Sequence, residues 1–175
     1  NVTSDAALTI DSDVTVTING NFSNSGTIAN EGTLNVNGYY DSDCCSISGS
    51  GVFSFSYNLD LEAGANLKSF YAIPEDASVS NVMSSLGDDV TGVITEGGAC
   101  SQISPGTWVG SQCTLMPKKG YWVITQSAAE LTLHNAILTD PAIEYDLFAG
   151  ANLISFPNFG TVATGAALPD DVESS

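Results

Sequence analysis

The chain has 175 residues, of which 20 are Asp or Glu and 3 are Lys or Arg, so its formal net charge is −17. This balance disfavours nucleic-acid binding, because contact with a phosphate backbone requires clustered Lys and Arg side chains. We also expect no enzymatic activity, since the chain has no arginine and its single histidine, His134, has no evident catalytic partner in the sequence.

The composition predicts a folded, β-rich protein. Hydrophobic residues make up 43% of the chain and charged residues only 13%, whereas disordered chains combine high charge with low hydrophobicity. No apolar run approaches the roughly 20 residues of a membrane-spanning helix. The chain also begins without Met or a signal peptide, so we expect it to be a processed piece of a longer precursor.

Residues 1 to 56 carry a six-residue period. Apolar side chains recur at Ile10, Val16, Phe22, Ile28, Leu34 and Tyr40, and glycines at Gly20, Gly26, Gly32 and Gly38. Two folds satisfy this pattern: a short β-solenoid, or a sandwich-like run of hairpins that turn at Asn19-Gly20 and Asn37-Gly38. We favour the hairpins, because at about three sides per coil the segment makes fewer than two coils, and so short a solenoid must stack on another element.

Residues 57 to 140 are predicted to form a β-rich module with one helix. Strand-like segments cover 51–57, 67–73, 90–95, 107–109, 121–125 and 131–134, with Gly and Pro turns between them. The helix is expected near 78–86, where Asp76 or Ser78 caps its start and Gly87 ends it. Its apolar stripe consists of Val79, Val82, Met83 and Leu86.

The four cysteines favour an oxidising compartment. No spacing among them matches a CxxC zinc pattern, and Cys100 and Cys113 are placed to close a short disulfide loop. Cys44 and Cys45 are adjacent, so at least one is expected to reach a distant partner, in this chain or in another. The alternative is four free thiols in a cytosolic protein. The triplets that begin at Asn1 and Asn21 have the form of N-glycosylation sites.

An internal duplication occupies the third segment, residues 141 to 175. Residues 60–70 recur at 146–156, an offset of 86 positions, with nine of eleven residues identical. The second copy is incomplete and cannot bury its own apolar face. We therefore predict that it forms an assembly strand that packs on a neighbouring chain, with the first copy or residues outside this sequence as the alternatives. Its apolar residues are Leu147, Phe148, Leu153, Ile154 and Phe156.

The motif at residues 63–67 (AGANL), paired with residues 120–124 (GYWVI), resembles a repeat module of large secreted or surface β-rich proteins. In that module an AGxNLxS strand opens the repeat and a GYWV strand lies near its end. The resemblance covers about residues 57 to 135 and the broken copy after residue 144. It implies an extracellular, repetitive architecture of structural or adhesive kind, and no catalytic residues.

Two candidate binding chemistries remain. Asp11 with Asp13, and Asp41 with Asp43, form DxD pairs that could share a Ca²⁺ ion, although Asp and Ser also favour solvated turns. Calcium is the one cofactor that the sequence leaves open. The candidate glycan contact consists of three aromatic residues, Trp108, Tyr121 and Trp122. The alternative is that these side chains belong to the core. If residues 121 and 122 lie on a strand, one ring must face inward and the other outward.

Together these patterns predict an all-β extracellular protein with one short helix. The expected function is structural: a self-assembling subunit of a filament, fibre or appendage on a cell or virion surface. Strand complementation and apolar burial would join its copies into a homo-oligomer or polymer, since a charge of −17 makes copies repel each other. The alternative is an adhesive glycan-binding module, with or without Ca²⁺.

Overall fold

The computed structural model describes residues 1–38, 40–41, 47–140 and 143–157, with only the backbone of Asp41. Within these ranges the chain forms fifteen strands, one short α-helix and one 3-10 helix. The predicted all-β fold with a single short helical region is therefore confirmed.

The first part of the chain is a three-sided β-solenoid. Its first coil consists of β1 (Ala7–Ile10), β2 (Thr15–Ile18) and β3 (Phe22–Ser23). The second coil consists of β4 (Thr27–Asn30), β5 (Thr33–Val36) and β6 (Tyr40–Asp41), and β7 (Ile47–Ser48) with the start of β8 (Val52–Leu61) opens a third. Each strand pairs in parallel with the strand one coil later, in the orders β1-β4-β7, β2-β5-β8 and β3-β6. One coil therefore takes 18 to 20 residues, as the pairs Thr15 with Thr33 and Ala7 with Thr27 show.

The preference for hairpins was wrong, and so was the estimate of fewer than two coils. The periodic glycines are needed at the corners, where one coil passes close to the next. A Cβ on Gly26 would lie 2.3 Å from the carbonyl oxygen of Thr3, and one on Gly32 would lie 2.3 Å from that of Asp11. The expected hairpin turns are also stacked corners: Asn37 Nδ2 donates to Asn19 Oδ1 at 2.9 Å.

The solenoid does stack on another element, as its shortness requires. Strand β8 pairs in parallel with β5 on one side and antiparallel with β15 (Ala129–Leu138) on the other. The solenoid and the module therefore share a five-stranded mixed sheet in the order β10-β15-β8-β5-β2, with β10 at Ala72–Pro74. Because β8 spans residue 56, it belongs to both of the first two predicted segments.

The module adds a second, antiparallel five-stranded sheet in the order β13-β12-β11-β14-β9. Its strands are β9 (Gly64–Ser69), β11 (Val90–Thr95), β12 (Gly98–Ser104), β13 (Thr107–Gly110) and β14 (Gly120–Thr125). The single strand predicted at 67–73 is divided between β9 and β10, which belong to different sheets. Phe70, which is 1% exposed, lies between them and points into the core.

The helical region follows its predicted pattern but is split. Ser78 caps α1 (Val79–Val82), accepting a hydrogen bond from the backbone N–H of Asn81, and a 3-10 helix follows at Ser84–Leu86. All four residues of the predicted stripe are buried in the core. Together with the inner faces of both sheets and the solenoid interior they form one continuous apolar cluster.

Candidate functional site

The outer face of the antiparallel sheet carries a row of exposed apolar side chains. Leu67 on β9 lies beside Trp122 on β14, which lies beside Ile94 on β11. Their exposed fractions are 55%, 39% and 44%. Neighbouring strands are about 4.8 Å apart, so these three side chains form one continuous apolar surface. We call this apolar surface, together with the neighbouring row of residues from Ala65 to Val109, the outer face.

A second row, two residues along each strand, extends the outer face. It runs from Ala65 through Ile124, Gly92 and Ser101 to Val109, and Val109 is 48% exposed. Neither row contains an ionisable side chain, although the chain carries 20 Asp and Glu residues. The sheet thus presents an uncharged and partly apolar surface on a strongly acidic protein. Exposed apolar patches of this kind are the type of surface that proteins use for contact with partners.

The second copy of the duplicated segment reproduces the turn of the first. In the first copy, Asn66 Oδ1 accepts from the backbone N–H of Glu62 at 2.8 Å, and Asn66 Nδ2 donates to the Glu62 carbonyl at 2.8 Å. In the second, Asn152 makes the same two bonds to Phe148, at 2.9 and 2.8 Å. Gly64 and Gly150 have φ values of 98° and 102°, which glycine adopts readily. The duplication is therefore structural as well as sequential.

The two copies differ in what lies beyond the turn. Asn66 also donates toward β14, to the carbonyl of Val123 and the hydroxyl of Thr125, both at 3.3 Å. Among the described residues Asn152 has no such cross-strand acceptor; its third bond goes to the carbonyl of Gly150 within its own turn. The second copy thus has the opening turn without a partner strand like β14.

The end of the second copy lies against the first copy in the same chain. Ile154 forms an antiparallel bridge with Lys119, and the N–H of Gly120 donates to the Leu153 carbonyl at 3.0 Å. A Cβ on Gly120 would lie 3.0 Å from Leu153 Cδ1, so Leu153 covers Gly120 on the side of β14 that Trp122 faces. Ser155 is buried and its hydroxyl donates to the Pro117 carbonyl.

The predicted assembly residues fall into two groups. Leu153, Ile154 and Phe156 are half-buried against the module, whereas Leu147 and Phe148 are 40% and 71% exposed. Leu147 and Phe148 therefore lie on the surface, next to the residues of the second copy that pack near the start of β14.

The three aromatic residues predicted to contact glycans do not form one platform. The expected division of residues 121 and 122 is confirmed: Tyr121 is 1% exposed and Trp122 is 39% exposed. The Tyr121 hydroxyl accepts from the N–H of Met116 at 2.7 Å, and burial raises its pKa. Trp108 pairs with Gln102, two positions from the buried Cys100, so it packs on the inner side of the sheet. Tyr121 thus takes the core position that was the alternative to glycan contact, and Trp108 and Trp122 lie on opposite faces of the sheet.

The predicted disulfide is present, with Cys100 and Cys113 joined and their Cα atoms 5.0 Å apart. The bond fixes the chain beside the helix start, where Val79 N–H donates to the Cys113 carbonyl at 3.0 Å. Cys44 and Cys45 lie outside the described residues.

The calcium prediction receives no support from the residues that can be described. Asp11 and Asp13 lie in the exposed turn between β1 and β2 rather than on a strand. The side chain of Asp41 and all of Asp43 lie outside the described part. In that part, no three His, Cys, Asp or Glu side chains are grouped to hold a metal ion.

Sequence reasoning missed Leu67 and Ile94 as members of the outer face. Each occupies an outward position in its own strand, but their contact with Trp122 depends on strand register between distant segments. The only sequence signal was the apolar residue at position 67 directly after the polar Asn66, which fits the alternation of a strand.

No protein-family model matches the chain, and no curated protein or solved structure is significantly similar to it. No helix in the described ranges is long and apolar enough to cross a membrane.

Proposed function

We propose that the protein is an extracellular structural subunit whose copies self-assemble through the outer face, with strand complementation by the second copy. The supporting observation is the uncharged apolar surface formed by Leu67, Trp122 and Ile94. A disulfide in the module fits an oxidising compartment.

Charge favours a second copy of this chain as the occupant of the outer face. Two subunits of net charge −17 repel each other over most of their surfaces. They meet with the least repulsion where each surface lacks charge, and apolar burial supplies the attraction there. A basic partner would instead be drawn to the acidic surfaces elsewhere on the molecule.

Strand complementation has its own support in the duplicated segment. Strand β9 is an edge strand held by β14 alone. The residues that bond it to β14 recur in the second copy: Asn152 replaces Asn66, and Gly150 replaces Gly64. The second copy of one molecule therefore carries the groups needed to occupy the β9 position of another.

Sedimentation velocity over a range of concentration and salt tests this proposal. We expect self-association that strengthens with salt, because ions screen the repulsion between acidic subunits. Trp122→Glu places a charge at the centre of the outer face and removes its largest ring. We expect it to weaken association roughly 30-fold, which corresponds to about 2 kcal/mol for a central aromatic contact.

Val14→Glu is the matched control, since Val14 is 43% exposed but lies in a solenoid turn away from the outer face. It should leave association unchanged. A monomer at every salt and protein concentration, or equal weakening by both variants, would show that the outer face is not an assembly surface.

A further inference from the structure

A groove of about 730 Å³ lies on the five-stranded mixed sheet that the solenoid and the module share. The outer face belongs to the other, antiparallel sheet. Its floor is the outward-facing side of β2, β5 and β8, and its walls come from β15 and from the stretch that runs from Pro74 to Ser84. The volume is within the range of about 300–1,000 Å³ that is typical of small-ligand sites. None of the residues proposed for assembly lines this groove.

The floor is a row of polar side chains in register. Thr17, Asn35 and Ser54 lie side by side on three neighbouring strands, at intervals of about 4.8 Å. Ser54 Oγ donates to Asn35 Oδ1 at 2.8 Å, which fixes the orientation of the side-chain amide. Within the described residues the Asn35 NH₂ group donates to no other side chain, so it is left for a ligand.

One wall is shaped by a β-bulge in β15. Leu133 pairs with Tyr57 and Ala136 with Phe55, so His134 and Asn135 together oppose the single residue Ser56. Asn135 has a φ of 52°, the one positive φ at a non-glycine residue in the described ranges. Bulges of this kind redirect side chains and are frequent at functional sites. Ser56 Oγ lies 3.2 Å from His134 Nδ1, which leaves the other ring nitrogen free of that contact.

The other wall supplies carboxylate and amide groups. Asn81 Nδ2 donates to the backbone carbonyl of Asp76 at 2.7 Å, so its Oδ1 is directed away from that bond. Hydrogen bonds from Ser78 lower the pKa of the Asp76 carboxyl, so this group is a charged acceptor at neutral pH. Glu75 adds a second exposed carboxylate beside it.

We propose that this groove binds a neutral oligosaccharide. No Lys or Arg lines it, which disfavours anionic ligands. Its alternating hydroxyl, amide and carboxylate groups offer both donors and acceptors, as the hydroxyls of a sugar require. Exposed apolar side chains at Val52 and Ile137 provide surfaces for the C–H faces of a pyranose ring. The site is separate from the aromatic residues and from the outer face, and its function does not depend on assembly.

The test is a panel of neutral glucan, mannan, galactan and xylan oligosaccharides of two to six units, measured by isothermal titration with the full chain. We expect at least one series to bind, with affinity rising with length until the groove is filled. Asn35→Ala should weaken that binding at least tenfold, because it removes a fixed amide from the centre of the floor.

Two exposed threonines of the first coil form a matched pair. Thr17→Ala removes a floor hydroxyl and should weaken binding about threefold or more, by the loss of one hydrogen bond. Thr9→Ala removes a hydroxyl on β1 outside the groove and should have no effect. Unchanged melting curves establish that the variants fold. Absence of binding to every series, equal effects of the two threonine variants, or salt-sensitive binding of a basic peptide in place of sugars would each overturn the proposal.

Discussion

Asn66 and Asn152 occupy equivalent positions in the duplicated segment, so replacing each with Ala compares one side chain in two environments. Both close the same turn through bonds to the residue four positions earlier. Only Asn66 also reaches β14, through Val123 and Thr125. Asn66 is 9% exposed, whereas Asn152 is half-buried. The comparison therefore isolates the contribution of the cross-strand bonds and of burial.

The expected difference follows from the bonds lost. An amide has one carbonyl and two N–H groups, so Asn66→Ala removes about three effective hydrogen bonds at roughly 1 kcal/mol each, or about 3 kcal/mol. It also leaves the Glu62 carbonyl with the Thr125 hydroxyl, at 2.7 Å, as its side-chain donor. Asn152→Ala removes the same groups where water can replace them, and we expect a loss below about 1 kcal/mol.

Urea unfolding of the two variants and the parent chain measures this difference. We expect Asn66→Ala to lower the midpoint with an unchanged m value, and Asn152→Ala to shift it by less than a third as much. Equal losses in the two variants would refute the reasoning, because they would show that the turn alone, without its bonds to β14, accounts for the stability contributed by this asparagine.

Three further predictions concern the core, the solenoid and alkaline pH. Replacing Cys100 and Cys113 with Ser should cost roughly 3 kcal/mol, and calorimetry should show a melting temperature lowered by about 6–12 °C; an unchanged temperature would contradict this. Gly26→Ala should lower the free energy of unfolding in urea by about 2 kcal/mol or more, because its Cβ would collide with backbone oxygens. Gly92→Ala is the control: its Cβ would lie 3.4 Å from the nearest atom, so the free energy of unfolding should change by less than about 1 kcal/mol. Burial raises the pKa of Tyr71 to about 12, so above pH 10 the unfolded state loses this proton before the folded state does. The free energy of unfolding should therefore fall as the pH rises from 10 to 12, and Tyr71→Phe should reduce the slope of that fall.

The local patterns of the sequence predicted local structure well. The cap at Ser78 and the stripe through Leu86 are set by neighbouring residues, so their positions were readable. The disulfide was readable for the same reason, since the loop between its cysteines is short. The six-residue period was also correct as a pattern. It did not distinguish hairpins from a solenoid, because both bury alternate residues and both tolerate glycine at corners.

The choice between those folds depended on contacts distant in sequence. A β-solenoid of two coils cannot bury its end alone, and the pairing of β8 with β15 solves this problem. That pairing joins residues 68 (Leu61 and Ala129) to 83 (Ser54 and Ile137) positions apart, so no local pattern reveals it. The outer face has the same origin: Leu67 and Trp122 are neighbours only because β9 and β14 pair in one register.

The two copies of the duplicated segment place equivalent leucines on one surface. Leu67 lies beside Trp122 on β14, and Leu153 lies over Gly120 two positions earlier on the same strand and the same side. Gly120 has no side chain, so the surface has room for Leu153 at this point. A larger residue there would collide with Leu153 and displace the second copy from β14. The second copy and the outer face therefore adjoin on the same side of β14, so a partner that displaced the second copy would also change the surface proposed to join two subunits.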